Sequence, residues 1–294
     1  MKNKKQNKID VKAYILAGAL VVFVLTGFFL LGRKIAMDNS LFHTPIEPAY
    51  YHEEDFKKPP EITIYEKKVS EIKLPIIMYH YVEYVKDPKD TIRKSLDVTP
   101  YSFEKQLATL KNNGYQTYFV KDIPDILAGK TIVSSRSAIL TFDDGYEDFY
   151  TDAFPLLKKY QLKGTIYIVY NFIGRHGFMN EKELKEVIAS GLVELGSHTL
   201  DHLSLKSLPT MFAKKQIFDS KALLEKMFGI TVDSFAYPYG TFNKSVEDLV
   251  RQAGYRDAVS VISGKTQSQN NLYYLSRIRA GYFEGSNMVN LLQK

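Results

Sequence analysis

Asp143 and Asp144 lie side by side in "ILTFDDGY", where a run of apolar residues ends. Adjacent like charges repel, and Asp is a poor strand residue, so the pair calls for a reason other than folding. Further on, "SHTLDH" places His198 and His202 four residues apart. One helical turn or a tight loop points two such imidazoles at a common centre. Two neutral imidazoles and one carboxylate make an open zinc site that keeps a position for water. Either aspartate can supply the carboxylate. The other then stays free beside that water as a base, and the cation offsets the repulsion between the two. Gly145 lets the backbone turn away without a side-chain clash. A lone His-x-x-x-His is commonly a pair of ordinary surface histidines, and the nearby aspartates are what distinguish this one.

These residues must be held by regular elements. From Leu74 onward, segments with strand character alternate with helical ones. "LPIIMYHYV", "YQTYFV", "SAILTF", "KGTIYIV", "VELGSH", "SFAYPYG", "DAVSVI" and "YYLSRIRA" read as strands. Between them, "YSFEKQLATLKNNG", "VKDIPDILAGK", "YEDFYTDAFPLLKKYQ", "NEKELKEVIASG", "PTMFAKKQIFDSKALLEKMFG" and "NKSVEDLVRQAG" read as helices. This alternation predicts an α/β fold, a parallel sheet with helices outside, either open or closed into a barrel. Both gather their chemistry at the C-terminal strand ends. His80, the two aspartates, the paired histidines and the Tyr237-Pro238-Tyr239 stretch all fall at such ends.

Ahead of this region, Lys2, Lys4, Lys5, Lys8 and Lys12 precede residues 13–32, which carry no charge. A helix of that length spans a bilayer core of about 30 Å. The lysines favour a cytoplasmic tail over residues 1–12, which puts the remainder outside, with a cleaved signal peptide as the alternative to an anchor. Residues 33–73 hold Pro45, Pro48, Pro59 and Pro60 among charges, with no sustained period, and read as a stalk. The domain then runs over 74–294. The chain has no Cys, which excludes disulfides, Cys-zinc sites and thiol nucleophiles. Its formal charge is +6, with no recognition helix and no Arg-rich run, so nucleic acid is not an expected partner; the charge suits a face toward anionic wall polymers or lipid headgroups, and equally simple solubility.

"TFDDGY", "HTLDH" and "YPYG", in that order, resemble the NodB-type polysaccharide deacetylases of carbohydrate esterase family 4. The resemblance covers Leu74 to the C-terminus. It implies a distorted (β/α) barrel and a divalent metal, Zn2+ with Co2+ or Ni2+ as alternatives. It also implies hydrolysis of N-acetyl groups on an N-acetylglucosamine-containing polysaccharide at the cell surface. By position, it makes Asp143 the general base and Asp144, His198 and His202 the metal ligands. The backbone N–H of Tyr239 would hold the oxyanion, with Thr199 as a supporting hydrogen-bonding residue.

Two positions depart from the family pattern. Ala236 stands where an arginine is usual two residues before the proline, and "LSR" (275–277) lacks the usual acid histidine. The exopolysaccharide deacetylases of the IcaB and PgaB type resemble this chain in both respects. Their barrel is circularly permuted, their acid histidine comes from an early "MYH", and they end in an "RIR"-like strand. That branch makes His80 the acid, Arg277 the residue that orients Asp143, and poly-β-1,6-N-acetylglucosamine the substrate. Peptidoglycan or chitin-type deacetylation and an inactive polysaccharide-binding module are the alternatives. A two-carboxylate glycosidase is disfavoured, because its carboxylates stand about 5–9.5 Å apart across a bond.

Overall fold

The computed structural model describes residues 62–279 and 281–293. The anchor expected over 13–32 and most of the stalk lie outside the described residues. Among the described residues, no helix is long and apolar enough to cross a membrane.

The strands are β1 (Ile64–Tyr65), β2 (Glu71–Lys73), β3 (Ile76–Tyr79), β4 (Gln116–Tyr118), β5 (Val133–Ser134) and β6 (Ser137–Phe142). They continue as β7 (Gly164–Ile168), β8 (Val193–Ser197), β9 (Ser234–Ala236), β10 (Asp257–Ser263), β11 (Thr266–Ser268) and β12 (Leu275–Arg279). β3, β12, β10, β9, β8, β7 and β6 pair in that order, and β6 returns to pair with β3. Every one of these pairings is parallel, so the sheet closes into a barrel. β3, early in the chain, is the strand that joins the last strand β12 to β6. β4 is an addition to the ring. Ile139 of β6 partners both Ile76 of β3 and Tyr118 of β4, so β4 lies on the β6 edge opposite β3.

The strand alternation sorts side chains to two cores. Ile76, Ile139, Tyr167, Ala236, Val259 and Leu275 pack together as one cluster. Their sequence neighbours Ile77, Leu140, Ile166, Ile168, Phe235 and Ala258 pack in another, with Phe103, Leu107, Leu157, Leu184, Ile217 and Val250 from the helices. The first set therefore faces the barrel interior and the second the helical layer. Gly196 belongs to the interior face, where an added Cβ would lie 2.5 Å from Cδ1 of Tyr167. That missing side chain is the space through which the Tyr167 ring passes, and its hydroxyl reaches Ser234 Oγ at 2.7 Å.

Residues 62–73 differ from the sequence expectation of a stalk. β1 pairs with β5 and β2 with β11, both antiparallel. Ile72 and Leu74 are buried with Val120, Ile123, Ile126, Leu127 and Val133, and this cluster closes the N-terminal end of the barrel. The prolines that mark the stalk end at residue 60, not at residue 73; "ITIYEKKVSEIK" then has too short an alternating stretch to stand out as strand. The short helices Thr91–Leu96 and Gly285–Gln293 also have no counterpart among the helices expected from the sequence.

Above this floor lies a polar patch. Thr165 Oγ1 donates to Glu194 Oε2 at 2.8 Å, while Glu194 Oε1 and both carboxylate oxygens of Asp257 have no hydrogen-bond partner among the described residues. Burial pushes the Glu194 carboxyl from 4.5 up to about 7 and that of Asp257 well above the usual range. A carboxyl whose pKa is raised by folding favours the folded state fully below its unfolded value, and loses that contribution as pH rises through the folded one. For Glu194 the window is about pH 4.5 to 7 and the change roughly 3 kcal/mol. In urea titrations, the stability of the wild type relative to Glu194→Gln should fall across this window and flatten above it. A difference that does not vary with pH would contradict a neutral Glu194 in the folded state.

Candidate active site

The C-terminal ends of β3, β6, β8 and β12 bring the chemistry-bearing residues together. β6 ends at Phe142, and Asp143 N–H donates to the Tyr79 carbonyl of β3 at 3.0 Å. The chain then leaves the strand abruptly, with Asp144 at φ 73° and Gly145 at φ 80°. A Cβ on Gly145 would lie 2.8 Å from Cδ1 of Ile168, so the turn has both a conformational and a steric need for glycine. His198 follows β8, and its N–H donates to the Ile168 carbonyl at 2.9 Å. Thr199 and His202 adopt positive φ, 72° and 55°, so the histidine pair sits in a tight loop and not on a helix. Thr199 Oγ1 accepts the His202 N–H at 3.0 Å. Gln216, on the helix Thr210–Phe228, accepts the N–H groups of Leu200 and Asp201 and donates to Asp201 Oδ2. Nothing in the sequence singles out Gln216, because a glutamine seven residues into a helix carries no distinguishing signal.

Asp144 Oδ1 lies 3.4 Å from His198 Nε2 and 3.3 Å from His202 Nε2. The donor atoms of the three residues all fall within 4.8 Å of one another. Tetrahedral zinc with bonds of about 2.0–2.2 Å separates its ligands by about 3.4 Å, so the two short distances match a ligand–ligand edge. Asp144 Oδ1 is buried and accepts no hydrogen bond, which is costly for a carboxylate oxygen without a cation. His198 Nδ1 is 2.7 Å from the Ala236 carbonyl. An oxygen there can only accept, so Nδ1 carries the proton and Nε2 presents its lone pair to the centre. Burial, reinforced by His198, pushes His202 down to about 4 and keeps it neutral. Burial also opposes a charge on His198, but the close carboxylates of Asp144 and Asp143 outweigh it and raise its pKa. Asp144 is held low by the same contacts against the effect of burial. The residues fit a divalent cation: two imidazole nitrogens, a carboxylate oxygen with no other partner, and a backbone carbonyl that fixes one tautomer.

Asp143 stands apart from this donor set and has a different partner. Arg277 Nη1 and Nη2 donate to Asp143 Oδ1 and Oδ2, each at 2.8 Å. Arg277 is itself buried, with Nε on the Ser260 carbonyl and Nη1 also on Thr141 Oγ1. Burial favours protonating Asp143, but the paired guanidinium outweighs it and holds the carboxyl well below the usual range. His80 Nε2 is 3.9 Å from Asp143 Oδ2. Burial lowers the His80 pKa, opposed by the two aspartates. Tyr239 has φ 58°, its side chain is exposed, and its ring centroid lies 4.6 Å from that of His202. Ala236 takes part only through its backbone carbonyl. His80, Asp143, Asp144, His198, His202, Tyr239 and Arg277 therefore form one connected group at one end of the barrel.

Residues 130–258 match the polysaccharide deacetylase family. YxkH of Bacillus subtilis (strain 168), provisionally named a polysaccharide deacetylase, is 33% identical over 223 residues, covering 76% of this chain and 77% of its own. The poly-β-1,6-N-acetyl-D-glucosamine N-deacetylase of Staphylococcus aureus (strain MSSA476) is 30% identical over 198 residues, 63% of this chain and 68% of its own. Among solved structures, the Streptococcus pyogenes deacetylase PplD in complex with acetate superposes with a TM-score of 0.70 at 28% identity, over 76% of this chain and 99% of that one.

The geometry separates the two aspartates in a way that metal analysis can test. His198→Ala, His202→Ala and Asp144→Ala should each lose zinc in a metal titration by more than tenfold in affinity, whereas Asp143→Asn should retain it within about threefold. Equal loss in all four variants would refute the separation.

Proposed function

The chain belongs to the polysaccharide deacetylase family, and from that premise we propose that it removes N-acetyl groups from a cell-surface poly-β-1,6-N-acetylglucosamine. The family match and the deacetylase relatives support the reaction class. The finer substrate rests on the S. aureus relative's activity and on the early "MYH" and late "RIR" segments. The observation that carries the mechanism is the division between neighbouring carboxylates: Asp144 faces two imidazoles, Asp143 a guanidinium.

In this reading Asp144, His198 and His202 hold a divalent metal, of which Zn2+ suits the donors and Co2+ or Ni2+ are alternatives. When bound, the cation polarises the acetyl oxygen and acidifies water, so that a weak base suffices to activate it. Asp143 is that base. Its low pKa keeps it ionised, and the Arg277 fork fixes both oxygens so that the carboxylate cannot rotate. The Tyr239 N–H donates to the developing oxyanion. His80 gives a proton to the departing amine, which must leave neutral. The proton that Asp143 has taken then passes to His80, 3.9 Å away, and the site is reset. Water and amide become acetate and a free amine, and each converted sugar adds a positive charge to the polymer at neutral pH.

Acetate release from poly-β-1,6-N-acetylglucosamine oligomers, chitooligomers and peptidoglycan, with and without added zinc, tests the reading. The first substrate should be hydrolysed fastest. His80→Ala should slow that reaction by about 10²–10⁴-fold with metal content unchanged, and slow an activated aryl acetate much less, because its leaving group needs no proton. Equal slowing of both substrates removes His80 from the acid role, and no acetate from any polymer favours the inactive binding module.

The place of action is part of the proposal. The lysine-flanked apolar run over 13–32 suits a single-pass anchor with the N-terminus inside and the enzyme outside. Protease added to intact cells should then remove the domain. Protection until lysis would contradict this topology.

A further inference from the structure

Among the described residues, no hydrogen bond of the His80 side chain sets its 3.9 Å distance from Asp143; it is held by the chain on which it rides. That chain, residues 79–83, is tied to the aspartate loop at three places. The first is the Asp143 N–H to Tyr79 carbonyl bond. The second is the stack of Tyr81 on Tyr146, with centroids 4.0 Å apart and planes at 24°. The third is Asp148, whose Oδ2 accepts the Val82 N–H at 2.5 Å. On its other side, the segment meets residues 96–98 through Tyr81 N–H to Leu96 O, Val98 N–H to Tyr81 O, and Glu83 N–H to Asp97 Oδ1.

Two of these ties are made by a side chain onto the main chain of the arm, Asp97 on Glu83 and Asp148 on Val82, and Asp148 is the one nearer the histidine and the one that comes from the aspartate loop. Val82 is fully buried, so its N–H has no water to turn to. A buried donor left unpaired costs about 1–3 kcal/mol, enough to shift the local backbone toward solvent. Asp148 itself is half-buried beside Glu83 and Asp152, and loss of solvent pushes its carboxyl up to about 7. A carboxyl kept there with like-charged neighbours is a poor choice for packing alone. Its contact is to the His80 arm and not to the donor set of Asp144, His198 and His202.

We propose that Asp148 is a positioning residue for the reaction: by holding Val82 it fixes the 79–83 arm, and so the reach of His80 toward the departing amine. This rests on the acid role of His80 given above. Neutral or ionised, the carboxyl accepts through an oxygen, and an amide oxygen in the same place does the same. The chemistry therefore depends on the acceptor and not on the charge.

The test uses the full chain, with Asp148→Asn keeping the acceptor and Asp148→Leu and Asp148→Ala removing it. Poly-β-1,6-N-acetylglucosamine oligomers and an activated aryl acetate are the two substrates. Asp148→Leu and Asp148→Ala should lower kcat on the oligomer about tenfold to a hundredfold, with KM, zinc content and aryl acetate hydrolysis within about threefold of wild type. Asp148→Asn should stay within about threefold throughout, and adding Asp148→Ala to His80→Ala should cost nothing further. Hydrogen exchange of residues 80–83 should quicken in the Leu and Ala variants and not in the Asn variant. The proposal is overturned if Asn is as impaired as Leu, if the loss is equal on both substrates, or if the two substitutions add. If His80→Ala shows no selective loss on the oligomer, the acid role fails and this inference fails with it; if His80→Ala shows that loss and the Asp148 variants do not, only the inference fails.

Discussion

A guanidinium and a carboxylate facing each other inside a protein are costly to desolvate, and their attraction offsets that cost only when geometry is good and the remaining donors are satisfied. Arg277 and Asp143 meet those terms. The fork is bidentate, Nε is taken by a backbone carbonyl, and a threonine hydroxyl shares Nη1. Such a pair gives little net stability, but it fixes orientation strongly. The two strands that carry it, β6 and β12, are both neighbours of β3, so the pair spans the place where the barrel closes. The position of Asp143, and hence of the adjacent Asp144, depends on that closure.

The adjacency of the aspartates is intelligible in these terms. Two ionised carboxylates on neighbouring residues repel unless each has its own compensating group. Here the backbone turn at positive φ sends the two side chains to different partners, one to Arg277 and one to the imidazoles. A glycine follows at φ 80°, a conformation that side chains rarely adopt, with the end of the Ile168 side chain close against it. The "DDG" sequence is thus a way to hold two charges close together without letting them share an environment.

Much of this arrangement is legible in the sequence. The strand "SAILTF" coincides with β6, and the helix "NEKELKEVIASG" begins at an Asn180 cap that closes a box with Glu183. Runs of this kind are long, periodic and punctuated. The aspartates and histidines can be grouped because strand ends in a parallel sheet converge whatever the distances along the chain. Other features have no such signal. The strands within residues 64–73 are two and three residues long, too short for a period to show. β4 has three residues and enters the sheet only at its floor, so nothing local marks it as outside the ring. Gln216 and Asp148 act on backbone groups far from them in sequence, and a contact with a main-chain N–H leaves no residue pattern at its other end. Glu194 and Asp257 read as ordinary solvated carboxylates until the barrel is closed around them.

The placement of β3 between β6 and β12 also sets an order of assembly. A chain emerging N-terminus first presents His80 and Asp143 long before Arg277, which arrives in the final strand. Until then the ring has a gap beside β3, and Asp143 has no guanidinium to hold it. The contacts that close the gap join residues about two hundred positions apart, which makes them late in folding as well as late in synthesis. The arrangement at the barrel mouth is therefore complete only once β12 is in place: a molecule that lacks it carries Asp144, His198 and His202 together and has no guanidinium facing Asp143.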